Sequence, residues 1–148
     1  MTAARTLALA AALAAIQAWA PPAQAAASAP AAAASAPDCG AELGPAVRRV
    51  SQGPVTLAWV SLPQPLPLDR HFELDVVVCG AQPTGLRVDA DMPAHRHGMN
   101  YRASVQQASL GRYRAAGLLF HMPGRWRLIF DLDLAGQRLR LSDPIELR

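Results

Sequence analysis

Two short segments hold most of the imidazole and thioether side chains of this chain, the groups best suited to bind a soft metal. The first runs Asp91-Met92-Pro93-Ala94-His95-Arg96-His97-Gly98-Met99-Asn100-Tyr101, the second Phe120-His121-Met122-Pro123-Gly124. Three of the four histidines and three of the four methionines lie in them. Imidazole and thioether are the donors that copper prefers among the metals. In an extended segment alternate side chains share a face, so His95, His97 and Met99 are spaced to point one way and Arg96 the other. Gly98 permits a bend that returns Met99 towards the imidazoles. His121 and Met122 arrive from the second segment. The candidate ligand set is therefore His95, His97, Met99, His121 and Met122, suited to Cu(I) and, through the nitrogens, to Cu(II).

The same residues have a plainer reading. Methionine is a common gap-filler in cores, a loop histidine often only bonds a carbonyl, and Pro and Gly shape turns without any ligand. His71 reads as a strand-edge residue, and Pro93 is expected to direct Met92 away. Catalysis fits poorly: zinc hydrolysis needs hard ligands, an open position and a carboxylate base, and thioethers are the wrong company for zinc. No nucleophile motif such as G-x-S-x-G occurs. Asp89, Asp91 and Tyr101 read as loop-capping groups, and the chain is not expected to be an enzyme.

The frame that must hold these segments is written in period two. Val55 to Val60, His71 to Cys79, Thr84 to Ala90, Tyr101 to Gln107, Arg112 to Phe120, Arg125 to Leu134 and Gln137 to Leu147 read as strands. Prolines at alternate positions in Leu62 to Leu68 keep that stretch out of a ladder, and Gly44 to Gly53 reads as irregular or a short helical turn. Met122-Pro123-Gly124-Arg125 suits a type II turn, with glycine where φ is positive. Seven strands and no helix predict an all-β fold, an immunoglobulin-like antiparallel β-sandwich. If successive strands alternate in direction, the proline-rich loop, the Met92 to Asn100 loop and the His121 to Gly124 turn share one end. All four histidines then gather there.

Residues 1–25 carry Arg5 as their only charge, an Ala/Leu-rich apolar run and a small-x-small pattern at Ala23-Gln24-Ala25. They read as a secretory signal peptide, since the apolar run is short for a membrane span of about 20 residues, the alternative being an uncleaved anchor. Residues 26–38 read as a flexible Ala/Ser/Pro linker and 39–148 as one domain. Loss of 1–25 lowers the formal charge from +3 to +2, too little and too scattered for nucleic acid; all fourteen basic residues are arginine. An exported chain with two cysteines, Cys39 and Cys79, favours one disulfide, the alternatives being two separate thiols or a Cys79 metal ligand. The expected location is periplasmic or secreted, with no further membrane span.

The segment VDADMPAHRHGMNY, its spacing to GRYRAAGLLFHMPGRWRLIFDL and the exported single-domain layout resemble the YtkA-like and FixH-like domains of bacteria. The resemblance covers roughly Val55 to Leu147 and implies an immunoglobulin-like sandwich. FixH-like proteins are associated with copper supply to a terminal oxidase, and copper chaperones of the PCuAC type gather His and Met at one end of a β-sandwich. The expected function is copper delivery or buffering to a copper-accepting periplasmic or membrane protein. The alternative is an interaction module whose His/Met loop is packed and binds no metal.

Overall fold

The computed structural model describes residues 38–148. The signal-peptide reading of 1–25 and all but the last residue of the linker reading therefore lie outside the described residues. A 3-10 turn over Ala41–Leu43 precedes nine strands: β1 (Arg48–Gln52), β2 (Val55–Leu62), β3 (His71–Cys79), β4 (Gly85–Met92), β5 (His97–Gly98), β6 (Ser104–Ser109), β7 (Arg112–Leu119), β8 (Gly124–Leu134) and β9 (Gln137–Leu147). One sheet has the order β1-β2-β3-β7-β6 and the other β5-β4-β8-β9. Every pairing is antiparallel, and the fold is the expected all-β sandwich. Among the described residues no helix is long and apolar enough to cross a membrane.

Two strands exceed the expected seven. β1 (RRVSQ) has no apolar alternation to announce it; it forms because it folds back on the apolar β2, pairing from Gln52↔Val55 to Arg48↔Trp59. β5 is only two residues long and exists as a closing rung on β4.

The inner faces follow the alternation. Leu86, Val88, Ala90 and Met92 of β4 and Trp126, Leu128, Phe130 and Leu132 of β8 are buried against Leu57 and Trp59 of β2 and Phe72, Leu74, Val76 and Val78 of β3. Full burial of such a side chain contributes roughly 1.5–3 kcal/mol, and this shared core holds the sheets together. Val77 breaks the alternation, pointing outward yet only 8% exposed. Cys39, Leu43 and Val47 fold over it and Ala58 as a small second core. Gly40 makes that approach possible: its φ is +69°, and a Cβ there would stand 2.3 Å from the Ala58 Cβ.

A Cys39–Cys79 disulfide, with a Cα separation of 6.0 Å, pins this flap, and Arg49 Nε donates to the Cys39 carbonyl at 2.7 Å. The bond spans 40 positions. Replacing both cysteines with serine is expected to cost roughly 2–4 kcal/mol, read as a lower urea midpoint.

Outward arginines of the second sheet are paired. Arg127 grips Asp91, Arg140 grips Asp131, and Arg87 and Arg138 meet at Asp133. Hydrogen bonding from Arg140 holds the Asp131 carboxyl below the usual carboxylate range, against a smaller opposing effect of burial, with the charges of Arg140, Arg138 and Arg87 adding to it. A depressed carboxyl stabilises the fold fully above its unfolded value and loses that contribution as pH falls through the folded one. Asp131→Asn is therefore expected to flatten the acid limb of a stability-against-pH curve, measured by denaturant titration below the usual carboxylate range.

Strand direction places the loops that carry the candidate residues. His71 at the start of β3 pairs Leu119 near the end of β7, and Asp91 near the end of β4 pairs Arg127 near the start of β8. The Asp69 N–H of the proline-rich loop donates to the Phe120 carbonyl at 2.8 Å. The three loops share one end of the sandwich, as alternation of strand direction requires.

Candidate metal centre

The first segment is a tight hairpin on the end of β4. The Met92 carbonyl accepts from the N–H groups of His95 and Arg96, both at 3.0 Å. The chain then returns with Met92↔His97 and Asp91↔Gly98 in register, and Met99 N–H donates to the Ala90 carbonyl at 3.0 Å. Arg96 takes φ 56°, a left-handed conformation uncommon outside glycine, and its side chain is exposed. Opposed residues of a ladder share a face, so His97 lies on the inward side with Met92. His95 belongs to the turn, so strand alternation does not set its direction. The turn brings it to His97 all the same.

The second segment is seated on aromatic rings. Phe120 and Trp126 are fully buried with ring centres 4.8 Å apart, and Phe72 lies 4.9 Å beyond Phe120. Trp126 Nε1 donates to the Met122 carbonyl at 3.0 Å, which fixes the His121 to Pro123 turn. Gly124 has the positive φ expected of it, +119°.

His97 is the hinge of the cluster. Its ring centre is 5.8 Å from that of His95 and 5.2 Å from that of His121. Trp126 presents its ring edge-to-face to both His97, at 5.7 Å, and His121, at 5.5 Å. Two imidazoles sharing one ion at metal–nitrogen distances of about 2 Å and a near-tetrahedral angle have ring centres roughly 5 Å apart. The His97–His121 spacing meets that condition.

The ring nitrogens are not equivalent. His97 Nδ1 lies 3.3 Å from the Gly98 carbonyl, a contact that favours the Nδ1–H tautomer and leaves Nε2 as the lone pair. His121 Nδ1 is buried and has no hydrogen-bond partner. Buried polar atoms are normally satisfied, so this nitrogen is the most unusual atom at this end of the molecule. His95 is exposed, whereas His97, Met99, His121 and Met122 are half-buried.

The other sequence-derived residues occupy defined places. Met99 lines a groove of about 600 Å³ with Leu86, Val88, Tyr101, Ala103 and Val105, and Met122 packs against the main core. His71 stands edge-on to Tyr101 at 5.3 Å and is no part of the imidazole cluster described. Among the described residues no three His, Cys, Asp or Glu side chains form a group that could hold a metal ion. Sequence reasoning missed Trp126, the floor of the cluster; its place two residues after the Pro-Gly turn in an apolar alternation was the available signal. No protein-family model, no curated protein and no solved structure matches this chain.

Proposed function

We propose that this protein is an exported, non-catalytic β-sandwich that binds Cu(I) between His97 and His121, for delivery or buffering. The observation that carries this reading is the buried, unpartnered Nδ1 of His121 beside an imidazole at metal-sharing distance. Buried ring nitrogens of structural histidines are normally hydrogen-bonded. His95, exposed at 5.8 Å from His97, is the outer imidazole, placed to meet the ion first and to pass it to a copper-accepting periplasmic or membrane protein. Met99 and Met122 are the thioethers of the two carrying segments, and a thioether joining paired imidazoles would favour Cu(I) over zinc. The resemblance to FixH-like domains points the same way. The disulfide supports an oxidising compartment, consistent with the periplasm.

The test is competition for Cu(I) against a chromogenic chelator, with the purified protein, His97→Ala and Met99→Ala. The expected result is one high-affinity Cu(I) per chain that His97→Ala abolishes and Met99→Ala weakens less. Wild type that binds no tighter than His97→Ala refutes the function.

A further inference from the structure

A thioether outside the five sequence-derived residues is better placed than either of those within them. Met92 is the direct cross-strand partner of His97, and such pairs on one face have Cβ atoms about 4.5–5.5 Å apart. Continuing the β4–β8 register one step past Asp91↔Arg127 sets Met92 beside Trp126, itself paired with Ile145. His97, Met92 and Trp126 thus form one row across the inner face. The outer two stand on strands separated by β4, yet their rings come to 5.7 Å, so the Met92 side chain lies at the base of the cluster they enclose.

Gly124 makes room for it. A Cβ at Gly124 would stand 3.0 Å from the Met92 Cε, so the end of the methionine lies against the backbone that carries the His121–Met122 turn. Met92 is 1% exposed. Pro93 therefore does not turn it away, as the sequence suggested; it starts the hairpin that brings His97 back over it.

We infer that Met92 is the sulfur ligand of the centre, joining His97 and His121 from below, and that it makes the site selective for Cu(I). The inference rests on the proposed copper function and concerns one residue of that site. A buried thioether is a soft donor shielded from water, which suits Cu(I) and adds little for Zn(II) or Cu(II). Leucine matches methionine closely in volume, so Met92→Leu is expected to fold as wild type does.

The experiment is X-ray absorption on the Cu(I)-loaded protein, together with Cu(I) and Zn(II) competition titrations. Wild type is expected to show a sulfur scatterer that Met92→Leu loses, with Cu(I) affinity down at least about tenfold and Zn(II) affinity nearly unchanged. The Met99→Leu/Met122→Leu double variant is expected to keep the scatterer, a result that stands even if Met92→Leu fails to fold. Sulfur retained in Met92→Leu, or lost in the double variant, overturns the assignment. Copper bound by nitrogen alone in wild type overturns it while leaving the two-imidazole reading intact; no Cu(I) bound at all overturns both.

Discussion

His121→Phe is expected to weaken Cu(I) binding by at least about 100-fold while leaving the metal-free protein as stable as before or slightly more so. The affinity estimate follows from the rule that even residues behind a metal ligand change affinity about 10- to 100-fold when removed; a ligand itself should cost no less. The stability estimate follows from the ring's surroundings. Phenylalanine keeps an aromatic ring edge-on to Trp126, where His121 sits at 5.5 Å. It removes a buried Nδ1 that has no hydrogen bond to lose, and replacing such a group by an apolar one of similar shape is nearly neutral or stabilising. A packed module without metal gives another pattern, in which changes at His95 or His121 lower thermal stability with no metal dependence. Paired titration and melting measurements separate the two.

Trp126→Ala is expected to be the most destabilising single change at this end of the sandwich, at about 3–5 kcal/mol. The side chain is fully buried and touches Phe120, His97 and His121. Its loss opens a cavity under the site and frees the Met122 carbonyl that Nε1 holds at 3.0 Å. Trp126→Phe separates these effects, since it keeps most of the ring and removes the hydrogen bond, worth about 1 kcal/mol. Chemical denaturation should rank wild type above Trp126→Phe and Trp126→Phe above Trp126→Ala. Cu(I) affinity should follow the same order, because the two imidazoles lean on this ring.

Much of the frame was legible because one period governs it. Phe72, Leu74, Val76 and Val78 alternate with outward residues over β3, and the structure buries all four. The strands from His71 to Cys79 and from Gln137 to Leu147 run as read. Strand parity also placed the His95–His97 hairpin and the His121 turn at one end, since it needs only the count and direction of strands. What escaped was structure made by tertiary contact. β1 is polar and forms on the apolar β2; Val77 is covered by a flap tied down from Cys39. Within the site, strand alternation sets the direction of His97 but not of His95, which sits in a turn. The inward place of Met92, the last residue of β4, was hidden for a similar reason, because a proline follows it directly.

The most direct measurement is a long-range proton–nitrogen correlation spectrum of the nitrogen-15-labelled protein, titrated with Cu(I) under reducing, anaerobic conditions that preserve the disulfide. Binding between His97 and His121 predicts large shifts, saturating at one equivalent, at His121 Nδ1 and at one ring nitrogen of His97, Nε2. Ring nitrogens of His97 and His121 that stay unmoved at saturating Cu(I) would contradict the account.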